Sequence, residues 1–138
     1  MNSKTVTAKL ENLSEVMDFM DGFLSGLIDS EKIKDQICVS VEELFTNIVS
    51  YAYPDESDGK VVISCRVLVE AGTRTLQISL KDWGIPYNPL KQPEPDFDIP
   101  FENRAIGGLG IHMVRKLMDG MEYCYTDGCN EIRIQKTL

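Results

Sequence analysis

The sequence predicts an α+β fold: a two-layer α/β sandwich with a mixed, mostly antiparallel sheet and about three helices on one face. Strand patterns occur in pairs joined by short turns, at Ala71-Gly72 and Asp127-Gly128, and such pairs are typical of antiparallel hairpins. Three further stretches have apolar residues at helical spacing, so each presents one apolar face that a sheet can cover. The other sheet face is expected to be partly solvated or to meet a partner.

About five strands are expected, because five segments alternate polar and apolar residues. They are residues 4–10, 60–70, 73–81, 121–126 and 130–137. The first of them is expected at an edge of the sheet.

The three helices are expected to begin where a capping residue or a glycine precedes an apolar stripe. The first begins near Asn12 or Ser14, the second at Ser30, and the third near Leu109. The second helix is expected to end near Tyr53-Pro54, since proline cannot continue a helix.

Length and charge restrict the classes of function. A chain of 138 residues suits one domain, residues 1–138, with a single core. The formal charge of −8 argues against direct nucleic-acid binding, because phosphates would be repelled, but it is compatible with a basic protein partner. No apolar run is long enough to span a bilayer, so no membrane contact is expected. The N-terminus lacks a signal-peptide pattern, which predicts a cytoplasmic location.

The four cysteines and the single histidine do not form a zinc-binding pattern. Cys38, Cys65, Cys124 and Cys129 include no C-x-x-C pair, and His112 is distant from them in sequence. Free buried thiols are expected at Cys38 and Cys65. Cys124 and Cys129 flank a turn and can approach each other, but a cytosolic setting keeps most thiols reduced. His112 is expected to pack or to face solvent rather than to accept a phosphoryl group.

The second helix carries a carboxylate and an amide one turn apart. Glu43 and Asn47 are separated by four residues, so they share a face that borders the apolar stripe containing Leu44 and Ile48. The border of a buried stripe is a good place to line a cleft. An Asn oxygen suits Mg²⁺, and a carboxylate nearby can take a proton from an attacking hydroxyl. On spacing alone, ordinary helix-surface residues are the simpler interpretation.

An acidic residue and a glycine-rich segment lie on either side of a long irregular run. Asp82 and Gly84 directly follow a strand, and I-G-G-L-G-I at residues 106–111 opens the last helix. A carboxylate can accept hydrogen bonds from the exocyclic amine of a base. Glycines at a helix start let backbone N–H groups approach phosphate oxygens. The intervening residues 90–105 include three prolines, and such a length is typical of a lid or a disordered loop.

Together the three stretches resemble the ATPase fold shared by gyrase, Hsp90, histidine kinases and MutL. V-E-E-L-F-T-N-I-V-S-Y-A-Y at residues 41–53 resembles its N-box, and D-W-G-I-P-Y-N-P at residues 82–89 resembles its D-x-G box. I-G-G-L-G-I-H-M-V-R-K-L-M-D-G-M-E-Y at residues 106–123 resembles its second glycine box. Their order and spacing, and the small size of the chain, are most similar to the anti-sigma-factor serine/threonine kinases of bacteria. The similarity covers nearly the whole chain.

The resemblance implies that ATP and Mg²⁺ are the cofactors and assigns roles to the matching residues. Glu43 matches the catalytic base of the family, and Asn47 matches its Mg²⁺ ligand. Asp82 matches the aspartate that binds the adenine amine, and Gly84 permits close approach of the base.

The resemblance also implies which residues meet the phosphates. Gly108 and Gly110 match the glycines whose backbone contacts the phosphates, with Leu109 between them, and Gly107 matches a frequent extra glycine. Arg104 lies near the arginine of the family that reaches the terminal phosphate.

Three positions depart from the pattern of the family. Tyr51 replaces a common histidine, Tyr87 replaces a phenylalanine, and Asn88 replaces an aspartate. Trp83 is compatible with two interpretations, stacking on adenine or shielding the end of the strand.

The function implied by the resemblance is that of an anti-sigma regulatory factor. It would use Mg·ATP to phosphorylate a serine on an anti-anti-sigma antagonist, and it would also bind a sigma factor. Relatives in this branch typically dimerise, and the first strand and the open sheet face are the candidate interfaces. The sequence leaves open a nucleotide-gated binding module without phosphotransfer, a plain ATPase, a kinase domain from a larger sensor, and an α/β domain without nucleotide.

Overall fold

A computed structural model of the chain describes residues 2–54, 58–91 and 108–138. Within these residues it contains five strands and three α-helices. In chain order they are β1 (Asn2–Thr7), α1 (Leu13–Leu24), α2 (Glu31–Tyr51), β2 (Lys60–Glu70), β3 (Thr73–Asp82), α3 (Gly108–Leu117), β4 (Gly120–Thr126) and β5 (Cys129–Thr137). Short 3-10 turns lie at Leu10–Asn12 and Pro89–Lys91.

The five strands form one sheet with the order β1-β2-β3-β5-β4. Each neighbouring pair is antiparallel, so the sheet, predicted to be mixed and mostly antiparallel, is antiparallel throughout its described strands. Both central residues of each hairpin turn have positive φ, at 51° and 81° in Ala71-Gly72 and at 54° and 79° in Asp127-Gly128. This conformation is that of a type I′ turn, whose twist matches the twist of the paired strands.

The core lies between one face of the sheet and the helices. The alternating residues of the three central strands that point to this face are almost completely buried: Val61, Ile63, Cys65, Leu76, Ile78, Leu80, Ile132 and Ile134. They meet apolar helix residues such as Met20, Phe45 and Val114. Burying one side chain of this size contributes about 1.5–3 kcal/mol, which explains why the alternation determines the register.

The opposite face of the sheet is polar. It carries Ser64, Arg66, Gln77, Ser79, Lys81, Glu131 and Arg133. On this face the Arg66 Nε donates a hydrogen bond of 2.6 Å to the Gln77 Oε1. The expected two-layer architecture with helices on a single face is therefore confirmed.

Helix α2 is the longest element and carries the N-box residues. Its first turn is capped by Ser30, whose Oγ accepts a hydrogen bond from the Ile33 N–H at 3.3 Å. It ends at Tyr51, two residues before the expected boundary, because the residue before a proline is disfavoured in the helical conformation and the chain leaves the helix ahead of Pro54.

All four cysteines are free thiols. Cys65 lies in the core and burial raises its pKa to about 12, whereas Cys124 is exposed. Among the described residues, no helix combines the length and the hydropathy that crossing a bilayer requires.

Candidate functional site

A cleft of about 360 Å³ opens between α2 and the ends of three strands of the sheet. Both Asn47 and Asp82 line it. The remaining wall is mostly apolar or aromatic and consists of Leu44, Ile48, Ala52, Tyr87, Pro89, Tyr123, Asn130 and Ile132.

Asp82 is a buried carboxylate at the end of β3. Only 4% of its surface is exposed, and burial raises the pKa of its carboxyl group. Two hydrogen bonds oppose that shift, both to the same oxygen. The Asn130 Nδ2 donates to Oδ1 at 2.9 Å, and the Gly84 N–H donates to Oδ1 at 3.0 Å. The second oxygen, Oδ2, receives neither of these bonds.

Gly84 allows the loop after β3 to lie directly on the end of α2. A Cβ atom at Gly84 would be 2.0 Å from the Ala52 carbonyl oxygen, a backbone atom that cannot move aside. The next residue continues the contact, since the Ile85 N–H donates to the same Ala52 oxygen at 2.9 Å. Absence of a side chain at Gly84 is therefore a condition for joining the D-x-G box to the N-box.

Tyr53 holds the same junction from its outer side. Its hydroxyl accepts a hydrogen bond from the Trp83 N–H at 2.8 Å and donates one to the Lys60 carbonyl oxygen at 2.7 Å. These bonds join the end of α2, the start of β2 and the residue after β3. Trp83 is 48% exposed and is not among the residues lining the cleft, which argues against the interpretation that it stacks on a base there.

Glu43 lies against the first turn of α3. A Cβ atom at Gly110 would be 2.3 Å from the Glu43 Oε2, so the carboxylate occupies the space that a side chain at Gly110 would need. Burial, and to a lesser extent repulsion from Glu42, raises the pKa of Glu43. The carboxylate is half-buried and borders an open depression.

This second depression adjoins the first cleft through Asn47, which lines both. Its other lining residues are Glu43, Thr46, Ser50, Tyr51, Gly110 and Ile111. It is bounded by α2 and by the N-terminal turn of α3, the positive end of that helix, which favours an anion. Beside it the rings of Tyr51 and Tyr87 are stacked, with centroids 5.3 Å apart and an interplanar angle of 26°.

The structure brings four of the predicted site residues to these adjoining clefts: Glu43, Asn47, Asp82 and Gly110. Gly84 lies two residues after Asp82 and packs against Ala52 instead of lining a cleft. Gly108 and Leu109 form the start of α3. Arg104 and Gly107 lie outside the described residues. In the portion of the chain that the structure describes, no group of three or more His, Cys, Asp or Glu side chains is placed to bind a metal ion.

Asn130 and Tyr53 were not predicted as residues of the site. Asn130 shares the buried face of β5 with Ile132 and Ile134. A polar residue in line with apolar ones along a strand was the sequence signal that could have revealed it. Tyr53 gave no comparable signal. Its hydroxyl bonds two backbone groups, the Lys60 carbonyl oxygen and the Trp83 N–H, and no sequence pattern relates a side chain to such partners.

Comparison with known proteins identifies the family. A family model described as histidine kinase-like ATPase domain matches residues 6–136. The serine-protein kinase RsbW of Listeria monocytogenes is 27% identical over 129 residues, which cover 91% of this chain and 80% of the relative. The serine/threonine-protein kinase BtrW of Bordetella bronchiseptica is 22% identical over 105 residues, which cover 76% of this chain and 71% of the relative.

Two solved structures share the fold. One contains the RsbU and RsbW domains of Rv1364c from Mycobacterium tuberculosis; the likeness covers the whole of this chain and 33% of that one, with a TM-score of 0.60 and 11% identity. The other is the histidine kinase domain of the blue-light activated histidine kinase of Erythrobacter litoralis EL346, with a TM-score of 0.50, 16% identity, and coverage of 91% of this chain and 59% of that one. This chain thus spans less than two thirds of either solved chain.

These matches confirm the relationship that the three motifs predicted, both to the ATPase fold and to the serine kinases within it. The chain belongs to the histidine kinase-like ATPase domain family.

Proposed function

We propose that this chain is an ATP-dependent serine protein kinase that acts as an anti-sigma regulatory factor. The observation that carries the proposal is the arrangement of Glu43, Asn47 and Asp82 around two clefts that share Asn47. Similarity to proteins named serine-protein kinase supports phosphoryl transfer to a hydroxyl.

The inner cleft suits an adenine base. Its apolar residues Leu44, Ile48 and Ile132 can cover the faces of a flat ring. The Oδ2 of Asp82 can accept a hydrogen bond from the exocyclic amine, and the Gly84 N–H, bonded to Oδ1, helps to hold the carboxylate in place. A hydrogen bond from a donor to a buried carboxylate is strong, whereas a carbonyl oxygen at the same place would leave two acceptors facing each other. The site therefore favours the amine of adenine.

The outer depression suits a triphosphate and Mg²⁺. The amide oxygen of Asn47 is a hard ligand, and it lies where the base site and the depression meet. Backbone N–H groups at Gly108 and Gly110 can donate to phosphate oxygens at the positive end of α3. When bound, Mg·ATP supplies the phosphoryl group and the metal offsets its negative charge. Arg104 and Gly107 are proposed phosphate contacts on the resemblance alone.

Glu43 is the proposed general base. It would accept the proton of the attacking serine hydroxyl while the phosphoryl group is transferred. A base is most effective when its pKa approaches the working pH, and both burial and Glu42 shift the pKa of Glu43 in that direction. Its place against Gly110 holds the carboxylate beside the proposed phosphate site.

The proposed protein substrate is an anti-anti-sigma antagonist, and a sigma factor is the second partner. Phosphorylation of the antagonist would decide which of the two the kinase holds. A formal charge of −8 favours a partner with a basic surface and disfavours direct binding to nucleic acid.

Glu43→Gln tests the assigned base. The variant should reduce transfer of labelled phosphate from ATP to a cognate antagonist by about 10²–10⁴-fold, because an amide cannot take the proton. Binding of Mg·ATP, measured by isothermal titration, should stay close to that of the unchanged protein. The matched control is Glu42→Gln, which alters the neighbouring exposed carboxylate and should retain transfer at neutral pH.

Undiminished transfer by Glu43→Gln would refute the assignment. ATP-dependent antagonist binding with no phosphoprotein in any variant would instead indicate a nucleotide-gated binding module.

The pH profile of transfer is expected to report Glu43. The base works when deprotonated, and its pKa lies above the ordinary value of 4.5, so the rate should fall as the pH is lowered through that raised pKa. Glu42→Gln removes the smaller cause of the shift and should move this acidic limb slightly to lower pH. An acidic limb that persists in the residual activity of Glu43→Gln contradicts the assignment.

Gly110→Ala separates the position of Glu43 from the stability of the fold. The added methyl group requires the Glu43 carboxylate to move, so transfer should fall at least about tenfold, a loss typical of misplaced catalytic groups. Stability should not fall, because alanine is favoured over glycine within a helix by about 1 kcal/mol and the clashing group is a flexible side-chain end. Gly22→Ala in α1 is the matched control, since a Cβ atom there meets nothing within 4 Å. Thermal melts and transfer assays on both variants measure the two effects, and full transfer by Gly110→Ala would exclude the proposed contact.

A further inference from the structure

Asn130 is a polar residue on the buried face of the sheet. It is the second residue of β5, it is paired with Asp82 across the β3–β5 ladder, and only 5% of its surface is exposed. The next residues on the same face are Ile132 and Ile134. A buried amide is costly unless its hydrogen-bonding groups are satisfied, so its partners explain why it is tolerated there.

The side chain of Asn130 uses its full hydrogen-bonding capacity within the protein. Its Nδ2 donates to the Asp82 Oδ1 and to the Ile85 carbonyl oxygen, each at 2.9 Å. Its Oδ1 accepts from the Tyr87 N–H at 3.2 Å and from the Tyr123 hydroxyl. An asparagine side chain has two donor hydrogens and two acceptor lone pairs, so none is left for a ligand.

The four partners also fix the orientation of the amide. The Ile85 carbonyl oxygen only accepts and the Tyr87 N–H only donates, so exchanging the nitrogen and oxygen of Asn130 would break both bonds. The side chain therefore has one arrangement, and every group bonded to it is held accordingly.

Two parts of the inner cleft depend on this arrangement. The first is the Asp82 carboxylate. Asn130 and Gly84 both donate hydrogen bonds to its Oδ1, so Oδ2 is the oxygen left for an incoming donor. The second is the segment of residues 85–87, which Asn130 holds through one carbonyl oxygen and one N–H group. Tyr87 at the end of this segment lines the cleft.

We propose that Asn130 is a positioning residue for base recognition, which acts through Asp82 and the 85–87 segment without touching the nucleotide. It sets the direction of the free Asp82 oxygen and the place of the cleft wall, and so it determines how strongly an exocyclic amine is preferred over a carbonyl at the same ring position. This inference rests on the proposed binding of ATP.

The test compares ATP with inosine triphosphate, which has a carbonyl oxygen where adenine has its amine. Dissociation constants for both nucleotides with Mg²⁺ are measured by isothermal titration, and their ratio is the readout. The unchanged protein should prefer ATP. Asn130→Ala should lower that preference at least about tenfold, the size expected when a hydrogen bond to a charged group loses its alignment. Gln77→Ala is the matched control, because Gln77 is also a buried amide of the same sheet, but it lies on the opposite face and bonds Arg66.

Tyr123→Phe provides a milder variant in case Asn130→Ala does not fold. It removes one donor to the Asn130 Oδ1 and should reduce the ATP preference in the same direction by a smaller factor. If the preference for ATP stays unchanged in Asn130→Ala, the positioning role is overturned, even if the melting temperature falls as it does in Gln77→Ala. If only Tyr123→Phe folds, an unchanged preference in that variant has the same meaning. Failure of the unchanged protein to bind either nucleotide would overturn the proposed ATP site itself, and this inference with it.

Discussion

The seating of the loop after β3 on the end of α2 is the contact on which the rest of the site depends. Gly84 lies so close to Ala52 that no side chain fits between them, and the Ile85 N–H bonds the Ala52 oxygen. This contact keeps the end of β3, which carries Asp82, beside α2, so that Asp82 and Asn47 line the same cleft. Tyr53 holds the junction from outside through two backbone groups. A change that lifts the loop would weaken the junction between the end of β3 and the helix that carries Glu43 and Asn47.

An acidic protein that binds a triphosphate needs positive groups at the site itself to offset the negative charge of the phosphates. The formal charge of −8 offers no general attraction, and Glu43 and Asp82 add negative charge beside the site. In the proposed arrangement, helix α3 presents backbone N–H groups to the phosphates, and Mg²⁺ on Asn47 supplies positive charge. Burial raises the pKa of both Glu43 and Asp82, which brings the former closer to the working range of a general base. In the proposed function the two carboxyl groups have different uses, because Glu43 would take a proton and Asp82 would bind the adenine base.

Much of the fold was predictable because local patterns and tertiary packing agree. The turns at Ala71-Gly72 and Asp127-Gly128, the cap at Ser30 and the alternation of the strands each depend on neighbouring residues. The expectation of a mostly antiparallel sheet is confirmed, and no described pair is parallel. The hairpins alone did not determine this, since strand direction beyond them is a property of the whole topology. The clustering of Glu43, Asn47, Asp82 and Gly110 was inferred from a resemblance, because no local pattern relates residues so far apart. Asn130 and Tyr53 act through partners that only the folded chain brings near, and for this reason the sequence did not reveal them.

The most direct test of this account is isothermal titration of Mg·ATP into the unchanged protein and into Asp82→Asn, with Asp18→Asn on the exposed surface of α1 as the control. We expect saturable binding by the unchanged protein and by Asp18→Asn. Binding should be weakened at least about tenfold in Asp82→Asn, because an amide nitrogen can replace the free acceptor Oδ2. Absence of heat at millimolar nucleotide, with an unchanged melting temperature, would contradict the nucleotide site. Equal affinity in Asp82→Asn would contradict the role given to its carboxylate.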